Sequence, residues 1–340
     1  MFAVVGTFNE DGGKPSSVGA KLIKELGIEE FFNGGTYESL KNFDFSKHDV
    51  VLWMPNIPNE EEKILPRLKA KNRKMIVISS KRMRDEYEIT DLIGRLLKVR
   101  SNLGIAIYDG DRFSFKLIDP LGNIYAKTED LSVLAAAITK RVEFLQSITR
   151  VPSNHGGEEK EFVIRPMFID VIKQYGEKLS GFVNALNPNR FLGNAATRCS
   201  YGFPATRQDG RIFVSRRNVD KDTIDNSGFV EVMQGSNSGV VYFGGAKPSV
   251  DAPMQLMAFE YYKKVYYAIH GHAYVKDAPM TDSKMPCGAL QEYDEIVRLY
   301  PNPETSRMAI NLRGHGFLIL SDNLDYFEEL ELEARPCPEW

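Results

Sequence analysis

Chemistry-bearing residues are scarce in this chain. Its 340 residues include 3 cysteines, 2 tryptophans and 5 histidines. The cysteines, Cys199, Cys287 and Cys337, are widely separated and form no CxxC pair. That spacing speaks against a disulfide framework or a thiolate zinc site and fits a reducing cytoplasm. No run of about 18 apolar residues occurs, so no membrane-spanning helix is expected. The opening MFAVVGTFNEDGG has no basic segment leading into an apolar one and does not read as a signal peptide. Cytoplasmic localisation is the expectation. The formal net charge of −3 gives no electrostatic reason to expect nucleic acid or an acidic membrane as a partner. Internal repeats and low-complexity segments are absent.

What is present is ordinary globular composition, 43% hydrophobic and 26% charged. The length predicts two domains. In the first half, FAVVGTF, DVVLWMP, KMIVISS and GIAIYDG read as strands with helical runs between them. DRFSFKLIDPLGNIYAK reads as a hairpin and EDLSVLAAAITKRVEFLQSI as a long helix. Strands alternating with helices predict βαβ units and a mostly parallel open sheet, Rossmann-like or flavodoxin-like, over residues 1–148. Gly12-Gly13-Lys14 tempts a phosphate-loop reading but fails both GxxxxGK[ST] and GxGxxG, so an ordinary βα loop is the preferred reading. Trp53 and Met54 read as core residues rather than as the lining of a crevice.

Residues 149–162, TRVPSNHGGEEKEF, are polar with Pro and paired Gly and read as a linker, with His155 a solvated loop residue. Beyond it, a helix beginning PMFIDVIKQYGEK precedes short alternating strands with two further helices, an α+β texture over residues 163–340.

Three of the five histidines sit in this second half. In VYYAIHGHAYV, read as one strand, His270 and His272 stand at i and i+2 and project from the same face, with Gly271 turned away. Two protonated imidazoles there would repel. A divalent metal removes the conflict by taking both as neutral donors. The alternative is a pair of half-buried, hydrogen-bonded histidines. His315, between two glycines in LRGHGFLIL, adds a third imidazole, and the glycines would let backbone approach a ligand closely. Three protein ligands with a fourth position open is the catalytic form of a zinc site.

Four blocks between residues 167 and 331 carry a family resemblance: GNAATR, IFVSRRNVDKDTI, KPSVDAPMQLMAFEYYKKVYYAIHGHA and LRGHGFLIL. In order and spacing they resemble the class II aldolase/adducin family. The resemblance implies an α/β/α layered domain, zinc, and a homotetramer with active sites at subunit junctions. It implies that His270, His272 and His315 hold the metal. It places Asp251 where the family has an acid that serves as fourth ligand or as general base beside a carbonyl. SVDAP looks closer to the pentulose-phosphate epimerases, which have Asp there, than to aldol-cleaving members, which have Glu. Asp251 also reads as a cap for the helix that follows, with Pro253 near its start. Asn194 and Ser249 are the implied phosphate contacts. Val250 replaces a second serine, and Arg216 and Arg217 stand where a Thr-Gly pair is common. The two arginines read either as a phosphate clamp or as solvated strand-end charges. Asp282, in APMTDSKMPCGA, is the candidate for a second proton-transfer group.

The expected function is a zinc lyase, epimerase or dehydratase acting through a metal-stabilised enediolate on a small, phosphorylated sugar. The alternatives are a non-catalytic adducin-like assembly or ligand-binding protein, and a bifunctional chain whose first domain binds a nucleotide. Adducin-like members have lost the metal histidines, whereas this chain keeps all three.

Overall fold

A computed structural model describes residues 1–7, 17–34, 36–56, 64–72, 74–84, 89–110, 112–183, 193–199, 210–236 and 239–335. The chain divides between Ser147 and Ile148 into two compact units. None of the described helices is long and apolar enough to cross a membrane.

In the first unit, strands β1 (Phe2–Thr7), β2 (Glu30–Asn33), β3 (Val50–Asn56), β4 (Ile76–Met83), β5 (Leu103–Asp109), β6 (Phe113–Ile118) and β7 (Ile124–Thr128) form one sheet. Its order is β2-β1-β3-β4-β5-β6-β7. The first five strands pair in parallel and the β5-β6-β7 edge is antiparallel. Parallel strands covered on both faces need apolar residues on both faces, and this explains the unbroken runs in the sequence. Ala3, Val5, Leu52 and Ile78 pack with Leu22 of α1 (Ser17–Glu25) and Leu134 and Ile138 of α5 (Leu131–Ser147). Phe2, Val4, Val51, Trp53 and Val77 pack in a separate cluster with Leu40 of α2 (Tyr37–Lys41) and Leu65 of α3 (Ile64–Lys71), and Leu92 and Leu96 of α4 (Ile89–Lys98) pack with Ala106 and Ile118. Trp53 and Met54 are therefore core residues, fully and nearly fully buried. The order β2-β1-β3-β4-β5 is flavodoxin-like, and its switch point lies between β1 and β3. The loops leaving those two strands, with Gly12-Gly13-Lys14, fall outside the described residues.

The second unit is built on an eight-stranded sheet, ordered β15-β16-β13-β9-β10-β11-β12-β8. The strands are β8 (Ser153–Gly157), β9 (Gly193–Cys199), β10 (Arg211–Ser215), β11 (Phe229–Gln234), β12 (Val240–Phe243), β13 (Tyr267–Gly271), β15 (Arg307–Leu312) and β16 (Gly316–Ser321). Every pairing is antiparallel except β12 with β8. Side-chain alternation feeds two layers. Phe213, Ile269 and Ile319 pack with Phe168, Ile172 and Leu179 of α6 (Pro166–Val183). Val214, Ala268, Leu318 and Leu320 pack with Met254, Leu256 and Phe259 of α7 (Ala252–Tyr261) and Ile296 of α8 (Gln291–Leu299). Helices on both faces of one sheet make the unit α/β/α.

The polar stretch 149–162 is not a simple linker. Five of its residues form edge strand β8, and His155 lies opposite Tyr242. The amide of Leu290 donates to the carbonyl of Thr149 at 3.1 Å. Composition hid this strand because it has no fully buried residue on either face, and such a strand carries no apolar alternation. Gly156 lies so close to Val241 that a Cβ would sit 2.3 Å from a valine methyl.

Candidate metal centre

VYYAIHGHAYV is not one continuous strand. β13 stops at Gly271, and Tyr274–Val275 form a separate strand, β14, paired with β17 (Leu332–Glu333). Asn311 holds the departing chain with its side chain, accepting from the amide of Val275 and donating to its carbonyl, each at 2.8 Å. His270, central in the sheet, lies opposite Asn194 on β9 and Leu318 on β16. His272 sits just past the strand end.

His315 closes the three-residue connection between β15 and β16, whose middle residue, Gly314, has φ +68. Its flanking Gly316 permits a close approach to the end of β13. A Cβ on Gly316 would lie 2.0 Å from the carbonyl oxygen of Gly271 and 2.9 Å from Cα of His272. The glycine therefore lets the hairpin carrying His315 close onto the His270–His272 segment.

The three imidazoles form a nearly equilateral triangle. Ring centroids are 5.1 Å apart for His270–His272, 4.7 Å for His270–His315 and 5.2 Å for His272–His315. One nitrogen from each lies within 4.8 Å of the others, and all three residues are buried. Nδ1 of His270 faces the carbonyl oxygen of Phe317 at 2.7 Å, a place only a protonated nitrogen can occupy, so Nε2 keeps its lone pair. Nδ1 of His315 lies 3.0 and 3.3 Å from the two carboxylate oxygens of Glu292, which again leaves Nε2 for the interior. Backbone carbonyl and carboxylate are the outer partners that orient metal-binding histidines. Nε2 of His270 and Nδ1 of His272 are buried and have no hydrogen-bond partner among the described residues. Buried polar atoms are rarely left so, and an orphan of this kind calls for an explanation such as an ion.

The electrostatics of His270 and His272 suit neutral ligand roles, and those of His315 do not until a proton is lost. Burial, reinforced by His315, lowers the pKa of His270. Burial, reinforced by His270, holds that of His272 well below the imidazole range. Both are neutral donors at pH 7. Burial opposes charge on His315 as well, but Cys287 and Glu292 outweigh it and raise its pKa well above the usual value.

Asp251 stands at the N-cap position of α7, yet its side chain makes no cap hydrogen bond. Its Oδ1 accepts from the amide of Gly288 at 2.8 Å and its Oδ2 from the Asn194 side-chain amide at 2.9 Å. Oδ2 is 4.0 Å from Nε2 of His270. Gln255 of α7 donates to the Asn194 carbonyl oxygen and fixes that amide. The Ser249 hydroxyl lies 3.4 Å from Oδ2 of Asp251. Asn194 and Ser249 both contact the Asp251 carboxylate.

The remaining candidates lie elsewhere. Asp282 is 67% exposed and its carboxylate pairs with Arg298 on the surface. Arg216 bonds Glu159 and donates to the carbonyl of Phe229. Arg217 is exposed beyond the end of β10. Sequence reasoning missed two groups that do reach the triad, Cys287 and Glu292. The Cys287 sulfur lies 3.2 Å from Nε2 of His315. Glu292 left a signal. In QEYDEIVRL it shares the apolar stripe with Ile296 and Leu299, an anomalous place for a carboxylate. Cys287, one scattered thiol among three, left none.

No protein-family profile matches the chain, and no curated protein matches it. Among solved structures, the N-terminal class II aldolase domain of a conserved protein from Thermoplasma acidophilum aligns with 48% of this chain and 87% of its own, at 16% identity and TM-score 0.32. An aldolase II superfamily protein from Pseudomonas syringae aligns over 46% and 67%, at 15% identity and TM-score 0.30. A DNA/pantothenate metabolism flavoprotein from Streptococcus pneumoniae aligns over 43% and 98%, at 14% identity and TM-score 0.34.

Proposed function

We propose that the second unit is a divalent-metal enzyme of lyase or epimerase type, acting next to a carbonyl of a small sugar-like substrate. Zinc suits a set of three imidazoles. One observation carries the reading: three buried imidazoles face one another, and two of them carry buried nitrogens with no hydrogen-bond partner among the described residues. The residue pattern shared with the class II aldolase/adducin family supports the reaction type. A bound ion would supply a Lewis acid for substrate oxygens. The chain supplies the rest. Phe317 and Glu292 fix which nitrogens of His270 and His315 face inward. Asn194, Gln255 and Gly288 clamp Asp251 beside them, and its Oδ2 is the group placed to take or return a proton.

Phosphate recognition by Asn194, Ser249, Arg216 and Arg217 belongs to the same reading, and in this structure Asn194 and Ser249 contact Asp251 while Arg216 contacts Glu159. The test is metal analysis followed by a panel of phosphorylated and free sugars with product identification. Turnover that requires the metal and is lost in Asp251→Asn supports the reading. A metal-free protein inert to the whole panel contradicts it. A homo-oligomer belongs to the same reading, and light scattering on the full chain tests it.

A second reading rests on one observation. Cys287, His315 and Glu292 form a thiol–imidazole–carboxylate relay, with contacts of 3.2 and 3.0 Å. Such relays activate thiol nucleophiles. It predicts activity without metal, destroyed by alkylation. It gives His270 and His272 no role, and for that reason the metal reading is preferred.

A further inference from the structure

Lys221 is a buried cation, and nothing above gives it a role. We propose that Lys221 is an anion-binding residue of the metal centre, its ammonium holding a carboxylate or phosphate group carried by the substrate. The inference rests on the metal reading above.

The fold brings Lys221 to the triad. β10 ends at Ser215, whose hydroxyl accepts from the amide of Ala195 at 3.1 Å. The residue before Ala195, Asn194, lies opposite His270. The segment that leaves β10 and carries Lys221 therefore starts beside the triad. Helix α6 packs against both. A Cβ on its Gly176 would lie 3.0 Å from the carbonyl carbon of Lys221. Leu179, three residues on and so on the same helix face, lies 2.7 Å from where a Cβ on Gly271 would stand, between His270 and His272. Lys221 is close enough to disfavour protonation of both His270 and His272.

The surroundings of Lys221 leave room for a ligand's charge. The residue is 7% exposed, and its ammonium donates to the carbonyl of Val219 at 2.6 Å, one bond for three donors. Among the described residues no carboxylate forms an ion pair with it. Asp220, the acid that acts on it, accepts instead from the amide of Asp222 at 3.0 Å. A buried charge without a counter-ion costs stability, and one kept beside a cluster of titratable groups is a candidate for function. A second cation works in the same direction. Arg335 donates to the carbonyl of Gly314, next to His315, at 2.7 Å, and it too disfavours charge on His272. Two separate segments thus bring positive charge to His272, a setting that favours an anion.

The test is calorimetric titration of inorganic phosphate and of glycolate into the full-length wild type, Lys221→Met and Lys221→Gln, with zinc content measured on the same samples. Wild type should bind at least one of the two anions, and both variants should bind it at least ~10-fold more weakly, the usual cost of losing a hydrogen bond to a charged group. Zinc content and the circular dichroism spectrum should stay as in wild type. The tighter probe identifies the group as phosphate or carboxylate. Anion affinity unchanged in either variant overturns the proposal, as does wild type that binds neither anion. Loss of zinc from both variants overturns it as well, because Lys221 then serves the build of the site. Wild type without zinc defeats the metal reading whatever the anions do, which separates the two failures.

Discussion

The carboxylate of Glu292 lies 3.0 Å from Nδ1 of His315, and both side chains are almost wholly buried. The pair faces the imidazole Nε2 toward His270 and His272. Burial pushes the Glu292 carboxyl up, and His315 opposes that shift. Neither group has this environment without the other.

Glu292→Gln keeps an acceptor for Nδ1 but loses the charge. Metal affinity should fall about 10–100-fold, the usual cost of losing an outer partner of a ligating histidine. Competition against a chelator of known affinity measures it. Glu292→Ala should also lower stability by about 1–3 kcal/mol, because it leaves Nδ1 buried and unpaired. Denaturant titration of the metal-free protein reads that loss.

Asp251→Asn should lower turnover by about 10²–10⁴-fold while metal content stays near wild type, as expected for a general base that is not a required ligand. Helix α7 should be unaffected, because the Asp251 side chain makes no cap bond. Steady-state kinetics beside elemental analysis separates the two effects.

Metal binding should release at least about one proton per ion at pH 7. The reason is the raised pKa of His315 in the metal-free protein, against the lowered values of His270 and His272. Affinity should therefore fall as pH falls. Calorimetry in buffers of different ionisation enthalpy counts the protons.

Lys221 is buried, and burial lowers its pKa to about 8. Its amine donates to the carbonyl of Val219 at 2.6 Å. The unfolded chain, with an ordinary lysine pKa near 10.4, binds more protons than the folded one between those values, so stability rises with pH across the window. The penalty is fully present below about pH 8 and is on the order of 3 kcal/mol. Lys221→Met should flatten the rise between pH 8 and 9.5. Urea unfolding of both proteins across that range checks it.

Much of the architecture was legible because burial writes period into sequence. Runs such as DVVLWMP and KMIVISS needed apolar residues on both faces, and β3 and β4 are where those runs fall. Edge strand β8 was not legible, since a solvated edge carries no such pattern. Of the site, the three histidines could be read because His270 and His272 share a short segment. Asp251 stood in two readings, cap and site, and only the contacts to Asn194 and Gly288 separate them. Cys287 and Glu292 meet His315 through the return of a loop and the first turn of a helix. Pairings of that kind are set by tertiary packing, with no fixed spacing to read.

The most direct test is the metal content of the purified full-length protein, measured for wild type, His270→Ala, His272→Ala and His315→Ala. Wild type should carry about one divalent ion per chain, and each substitution should remove most of it. Wild type without metal, or variants that retain it undiminished, would contradict the assignment.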